Sequence, residues 1–301
     1  MAAKKDFTPA EYALEDAYSK GHGIDRNQSE AFKWAQKVAD KGYPEAEIKV
    51  GNFYADGVGV RQNWAEAVKW FLKAANQGNA EGQFRLGLCY GLGRGVSKDV
   101  SRANELCFVA ATNGLAEAQR TVGLGYLWGN GGLSQDYREA FKWLQKAAQQ
   151  QDLPAEYYLG ECYENGQGVS TNAFEAFSWF KRAADLGYQS AQIELGNCYA
   201  NGIGVQQDSA EAIRWLHIAA SQGGAEAEMR LGVFYLTTTN KVEACKWLLL
   251  AKAQSPIIGQ TGFEIATNAG VIFTAEEVAN ANQLAAMFSK TNQYPNFENQ
   301  P

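Results

Sequence analysis

The sequence predicts an all-α fold: one elongated domain of about seven stacked helix-turn-helix units, closed by a C-terminal helix. Three observations carry this expectation. A glycine three residues ahead of a tyrosine recurs at Gly51, Gly87, Gly123, Gly160, Gly196 and Gly232, in steps of 36, 36, 37, 36 and 36 residues. Six of the eight tryptophans, Trp34, Trp70, Trp143, Trp179, Trp215 and Trp247, occupy a single column of the same repeat. Seven residues before each position of that column stands Asn27, Asn63, Asp99, Asp136, Asn172, Asp208 or Asn240. A period of this length marks units that cannot bury an apolar face alone and must stack on one another.

Taken in chain order, Thr8-Pro9-Ala10-Glu11 reads as a capping box with proline at the first helical position, so the first helix starts there. A degenerate first unit follows, keeping Tyr18, Gly21, Gly23, Ile24, Ala31 and Trp34. Within each later unit the first helix places positions -5, -1, 0 and +3 from the anchor glycine on one packing face, as with Ala46, Val50, Gly51 and Tyr54. The glycine admits a close partner helix, and Gly57, Gly93, Gly129, Gly166 and Gly202 stand where a left-handed C-cap is needed.

The Asn/Asp column opens the second helix as its N-cap. Three residues on, six of seven units carry glutamate (Glu30, Glu66, Glu139, Glu175, Glu211 and Glu243, with Arg102 the exception), expected to reach back to the cap amide and to complement the helix dipole. Their fixed place at a helix start makes them structural rather than an acidic motif. The tryptophan column lies beside Ala67 and Ala74 on the buried side of the second helix and is expected to hold the stack together. Leu106 fills the tryptophan slot of the third unit and should leave that joint less filled.

Two units depart from the pattern. The fourth has an extra residue within 129–133, and the seventh has lost its glycine turn, reading Tyr235-Leu-Thr-Thr-Thr-Asn240. After Ser255-Pro256 the repeat ends, and Thr274-Ala-Glu-Glu277 opens a last amphipathic helix to about Ser289, whose Val278, Leu284, Ala285 and Phe288 would cover the final repeat. The organisation is thus an N-terminal extension over 1–9, the repeat array over 10–255, a C-terminal helical cap over 256–290 and a polar, disordered tail over 291–301.

Composition narrows the function classes. A net charge of -6 and a pI near 5.2, with no stripe of Lys and Arg, argue against nucleic acid. The chain shows neither a signal peptide nor a membrane-spanning run, so a monomer that is not inserted in a membrane is expected. It would be cytoplasmic if the chain is complete, and periplasmic or secreted if a leader has been removed. Cys89, Cys162 and Cys198 each precede the repeat tyrosine slot, which reads as a small buried thiol in one structural place and not as a disulfide framework.

The residues spell A-x-x-x-L-G-x-x-Y-x-x-G-x-G-V, then D/N-x-x-x-A-x-x-W and K-A-A-x-x-G. This resembles the Sel-1-like repeat family, relatives of the tetratricopeptide repeat, over roughly residues 10 to 255. The resemblance implies a right-handed α-solenoid that serves as an adaptor or scaffold holding proteins or peptides, often in bacteria or in membrane-associated eukaryotic complexes. It does not name the partner. An exported bacterial host-interaction protein is a variant of the same expectation.

A cysteine-rich branch of the family is associated with β-lactam binding, so a hydrolase is the competing expectation. That branch's paired cysteines would fall near Ala74, Ala75 and Ala46, Gly82 or Ala118, none of which is cysteine. Ser178-Trp-Phe-Lys181 matches the Ser-x-x-Lys spacing of penicillin-recognising enzymes, yet no Ser-Asp-Asn or Lys-Thr-Gly accompanies it. His22 and His217 have no companions at zinc-ligand spacing, and the repeated Gly-x-Gly turns follow no strand, so neither a metal, a cofactor nor a phosphate loop is expected.

Binding is instead expected on the inner wall, at first-helix positions -3, +1 and +5. Those columns bring together Phe84, Leu88, Leu92, Leu124 and Trp128, flanked by Tyr157, with Arg120 among them and Asn52, Asn165, Asn197 and Asn201 toward either end. Apolar anchors of this kind supply affinity, and amides hydrogen-bond an extended peptide backbone. Two readings of the -3 column stand side by side: it lines this groove, or superhelical curvature buries it against adjacent helices. Trp64 and Trp128 are the tryptophans outside the structural column, and Trp128 is the one that joins the inner patch.

Overall fold

The cap, turn and packing residues of each repeat produce two helices apiece in the computed structural model, which describes residues 8–238 and 240–291. The described residues are all-α and divide into two compact units, up to Asp152 and from Leu153. The first unit holds α1 (Thr8–Lys20), α2 (Gln28–Ala39), α3 (Pro44–Asp56), α4 (Trp64–Asn76), α5 (Ala80–Leu92), α6 (Val100–Thr112), α7 (Ala116–Trp128) and α8 (Tyr137–Ala148). The second holds α9 (Leu153–Asn165), α10 (Ala173–Asp185), α11 (Gln189–Asn201), α12 (Ser209–Ser221), α13 (Ala225–Thr237), α14 (Lys241–Gln254), α15 (Pro256–Asn268) and α16 (Ala275–Thr291). In both units the two helices of a repeat pack on each other, and each second helix packs on the first helix of the next repeat of its unit.

The anchor glycine is a contact, as its column suggests. A Cβ at Gly51 would stand 2.4 Å from the Phe71 ring, and one at Gly160 would stand 2.5 Å from that of Phe180. Phe71 and Phe180 come from the second helix of the same repeat and are themselves buried, so the missing side chain sets the distance between the paired helices.

The seven N-caps form as expected, each accepting from the backbone amide three residues on, for example Asn63 Oδ1 from Glu66 N at 3.2 Å and Asp99 Oδ1 from Arg102 N at 2.9 Å. The reciprocal half of the expected capping box is corrected. The cap amides of the first six repeats already donate to the carbonyl of the preceding helix's tyrosine, as Asn63 N does to Tyr54 O at 2.8 Å and Asp208 N to Tyr199 O at 2.9 Å. With that donor taken, the glutamates turn outward to basic residues one turn on: Glu66 meets Lys69 at 2.6 Å, Glu139 meets Lys142 at 2.6 Å and Glu211 meets Arg214 at 2.7 Å. A two-way box does occur at Thr274 and Glu277, whose backbone amides are capped by each other's side chains.

Four of the six column tryptophans, Trp70, Trp143, Trp215 and Trp247, are buried, whereas Trp34 and Trp179 are half-buried. Trp70 packs on Ala35, Val38 and Ala39 of the preceding repeat's second helix, and Trp215 does the same on Ala183 and Ala184. Trp34 belongs to the first matched repeat and Trp179 to the fifth. Basic side chains lie over the open faces, Lys73 at 3.5 Å from the Trp70 ring and Lys146 at 4.2 Å from that of Trp143.

A further column ties the helices of each repeat together. At position -4, Glu47, Gln83, Gln119, Glu156, Gln192 and Glu228 are all buried. Each is met by a polar side chain from the second helix of its own repeat or from that helix's C-terminal end: Gln77 donates to Glu47 at 2.8 Å, Asn113 to Gln83 at 3.0 Å, Gln150 to Gln119 at 2.8 Å, Gln222 to Gln192 at 2.7 Å and Gln254 to Glu228 at 2.9 Å. In the fifth repeat Arg182 pairs with Glu156 at 2.8 Å. Lys41 completes the same clamp on Glu11 in the first repeat, at 2.5 Å.

The expected C-terminal helix is α16, and Phe288 meets Trp247 edge-on at 4.9 Å. Helix α15 was not expected. Pro256 starts it rather than ending the array, and Gly259 and Gly262 bring it against Lys252 and Leu248 of α14. The five cysteines are free and buried, and burial pushes Cys162 and Cys198 up to about 12 and Cys89, Cys107 and Cys245 up to about 11. The tail over 292–301, the extension before Thr8 and Thr239 lie outside the described residues.

Candidate functional site

On the first helices, position -3 lies about 60° around from the anchor glycine, +1 about 100° and +5 about 140°. Burial falls in that order. In the -3 column Ile48, Phe84, Ile193 and Met229 are buried and Arg120 and Tyr157 are half-buried; the +1 column is half-buried throughout; the +5 column is exposed throughout. Phe84 is therefore corrected: its side chain is 1 % exposed, packed with Cys107 and Ala110 of α6 in its own repeat and with Ala118 of α7 in the next. Neighbours on both sides of a first helix leave an open arc narrower than its unpacked half, and -3 falls outside it.

The other apolar residues of the expected patch stay at the surface. Leu92, 61 % exposed, and Trp128, 52 % exposed, are the two most exposed large apolar side chains of the first unit's described residues, and both occupy the +5 position. Leu88 and Leu124, one turn earlier on the same helices, are half-buried. Arg120 is not an isolated cation, since Nε faces Asp152 Oδ1 at 3.4 Å and Nη2 faces Glu117 at 3.9 Å.

A cleft of about 340 Å³ opens between α3 and α5 beside this strip. Its floor is Phe71, Ala55 and Cys89, all buried, and its walls carry Leu88 and Leu92 from α5, Asn52 and Asp56 from α3, and Trp64 from the start of α4. Arg85 and Arg94 complete the lining. The Arg94 guanidinium lies over the Trp64 ring at 4.9 Å. The turn holding Arg94 is pinned by Gly95, at φ 73°, where a Cβ would stand 2.3 Å from the Trp64 carbonyl oxygen. Sequence reasoning placed Asn52, Leu88 and Leu92 here but missed Arg85, Arg94 and the wall formed by Trp64. Arg85 sits at -2, about 160° around the helix and next to the +5 column, so extending the angular search by one position would have found it.

The second unit presents a different surface at the same positions. Tyr157 is half-buried against Phe180 and Tyr188, and its hydroxyl donates to Glu161 Oε1 at 2.9 Å. Burial raises the Glu161 carboxyl above the usual range, and the charges of Glu194 and Glu164 add to that against the Tyr157 hydrogen bond. Burial also raises the Tyr157 phenol. The amides of Asn165, Asn197 and Asn201 donate to Glu161 O, Glu194 Oε2 and Asn197 O at 3.0, 3.0 and 2.9 Å, so they are engaged on their own helix. Residues 153–301 carry 15 acidic against 8 basic side chains, whereas the first 152 residues are nearly balanced.

Ser178 and Lys181 form no nucleophile-base pair: Ser178 Oγ donates to Phe174 O at 2.9 Å and Lys181 pairs with Asp185 at 2.7 Å. His217 is half-buried with Nε2 3.0 Å from Tyr235 Oη, and His22 lies on an exposed turn 3.7 Å from Asp16. No group of three His, Cys, Asp or Glu among the described residues is placed to hold a metal ion. No helix of the described residues is long and apolar enough to cross a membrane.

The family model for the Sel1 repeat matches seven consecutive segments, 10–43, 44–79, 80–115, 116–152, 153–188, 189–224 and 225–256. Among solved structures, a Sel1 repeat protein from Oxalobacter formigenes is 35% identical, with a TM-score of 0.66, over 70% of this chain and 86% of that one. A protective antigen of uropathogenic Escherichia coli strains, displaying an SLR fold, is 26% identical, with a TM-score of 0.53, over 95% of this chain and 69% of that one. An immunity protein from Pseudomonas aeruginosa, 19% identical with a TM-score of 0.50 over 73% of this chain and 83% of that one, shares the fold alone. Comparison with curated protein sequences gave no match.

Proposed function

Because the chain belongs to the Sel1 repeat family, we propose that it is a non-catalytic scaffold that holds a protein or peptide partner on the open arc of its first helices. The observation that carries this reading is the pair Leu92 and Trp128. They are the most exposed large apolar side chains among the described residues of their unit, in one repeat column, each backed by a half-buried leucine. Covering a leucine removes a side chain worth roughly 1.5 to 3 kcal/mol from water, and a tryptophan at the centre of an interface is a common anchor. Leu88, Leu124 and Asn52 complete the contact set, with Arg120 at its edge. Tyr157, Asn165, Asn197 and Asn201 supply a polar surface in the second unit.

The test is affinity capture with the full chain and with a Leu92→Ser, Trp128→Ser double variant as baits, the captured proteins being quantified by mass spectrometry. A partner enriched on the wild-type chain and depleted at least about tenfold on the variant supports the reading, since loss of two central anchors costs more than 1.4 kcal/mol. A partner held equally by both refutes it.

A further inference from the structure

We propose that the cleft between α3 and α5 is an anchor pocket for a peptide motif in which a bulky aliphatic or aromatic side chain stands next to an aspartate or glutamate. This rests on the reading of the first-helix arc as the binding side and names the chemistry of what it takes. The cleft has the size of an ordinary ligand pocket, about 340 Å³, and an apolar floor of Phe71, Ala55 and Cys89 beneath Leu88 and Leu92.

The acidic neighbour follows from the charges around that floor. Arg85 and Arg94 are both lining residues, against the single carboxylate of Asp56. Arg85 Nε is buried without a hydrogen-bond partner. Its Nη2 donates to Glu81 Oε1 at 3.4 Å and lies 4.0 Å from Glu117, so Arg85 is partly paired, while other donors of its five-donor fork, Nε among them, remain for a ligand. The Arg94 guanidinium lies over the Trp64 ring at 4.9 Å, which holds a second positive charge against the wall of the cleft. A basic residue in the same place would meet two guanidinium groups. The Asn52 side chain, unlike those of Asn165, Asn197 and Asn201, makes no hydrogen bond among the described residues, so its amide is available to a peptide backbone.

The neighbouring cleft between α1 and α3 shows what distinguishes this one. It has Phe53 and Val58 in its lining, but six charged side chains of both signs stand around it, Glu15, Asp16, Lys20, Arg26, Lys49 and Asp56. The α3–α5 cleft differs in its buried floor of Phe71, Ala55 and Cys89 and in carrying two arginines against one carboxylate.

The experiment is selection of a random dodecapeptide display library on the full chain, followed by binding of the enriched peptides, synthesised with amidated C-termini, to Leu92→Asp, Arg85→Gln and Trp128→Ser variants whose helicity is verified by circular dichroism. The expected result is enrichment of an aliphatic or aromatic residue beside Asp or Glu, with binding weakened more than tenfold by Leu92→Asp and by Arg85→Gln. Replacing the peptide's acid by its amide should weaken wild-type binding tenfold and weaken binding to Arg85→Gln by a smaller factor, since Arg94 remains. Enriched peptides without an acid, or peptides indifferent to Arg85→Gln, overturn the proposal. If such peptides still depend on Trp128, the first-helix reading stands without the anchor pocket; if no peptide depends on any of the three residues, both fall.

Discussion

Substituting Gly95 separates two costs that the repeat glycines combine. Gly95 and Gly78 have similar backbones, at φ 73° and 79°, but a Cβ at Gly78 meets nothing within 4 Å, whereas at Gly95 it stands 2.3 Å from the carbonyl oxygen and 2.4 Å from the carbonyl carbon of Trp64. Placing alanine in the left-handed region costs about 1 to 2 kcal/mol, offset by about 0.4 to 1 kcal/mol from the stiffer unfolded chain. Gly78→Ala should therefore lower stability by no more than about 1.6 kcal/mol. Gly95→Ala carries the same term and must also push the 93–95 turn away from the start of α4, a backbone displacement of the kind that adds about 1 to 3 kcal/mol. Its total is then about 1 to 4.6 kcal/mol, in each case about 1 to 3 kcal/mol more than that of Gly78→Ala. Urea unfolding followed by circular dichroism measures both, provided the slopes match, so that the midpoint shift reports stability. Because Arg94 leaves its place over Trp64, the intrinsic fluorescence of the folded Gly95→Ala protein should change too. Equal destabilisation by the two substitutions would refute the close-approach account.

Other consequences can be measured on the same protein. Phe84→Ala should cost about 3 to 5 kcal/mol because the ring is enclosed, whereas Trp128→Ala should change stability by less than about 1 kcal/mol; the reverse order in thermal melts would return Phe84 to the surface and Trp128 to the core. Gln119→Ala removes the hydrogen bonds to Gln150 at 2.8 Å and to the Ala111 carbonyl at 3.1 Å. It should lower stability by about 1 to 3 kcal/mol, and a loss under about 0.5 kcal/mol would show that the -4 clamp is incidental. Burial, helped by the Lys246 charge, holds the His217 imidazole below its usual 6.5. A base depressed in this way keeps its full stability contribution above the unfolded value and loses it as pH falls through the folded one, so the wild type should melt earlier as pH drops from 7 toward 5 and His217→Gln should flatten that slope. Identical slopes would remove His217 as the cause.

The repeat architecture was readable because its signals are backbone requirements with few chemical solutions. A left-handed turn needs glycine, a helix start needs Asn or Asp, and a close helix pair needs the absence of Cβ at Gly51. The clamp column was not read because Glu and Gln at -4, among charged neighbours, look like a solvated face. Their burial depends on a partner about 30 residues later, which helical angle alone does not show. Phe84 was misplaced for a related reason, since angle around one helix says nothing of how widely its two neighbours spread. The capping glutamates matched a local motif whose donor is consumed by a tertiary hydrogen bond to the preceding helix. Pro256 is ambiguous between ending one helix and beginning another, and only the small residues Gly259 and Gly262 hint at α15. The binding arc was half legible: Leu92 and Trp128 stand out by type and column, while Arg85 and Arg94 owe their place to a cleft that forms only once α3 and α5 are side by side.

Hydroxyl-radical footprinting of the full chain, alone and saturated with a captured partner or selected peptide, tests the binding arc most directly. Phe174 and Ile257, 66 % and 81 % exposed, serve as internal references far along the chain from that arc. Binding on the first helices predicts strong protection of Leu92 and Trp128 with Phe174 and Ile257 unchanged. Protection of the references while Leu92 and Trp128 remain fully reactive would contradict it.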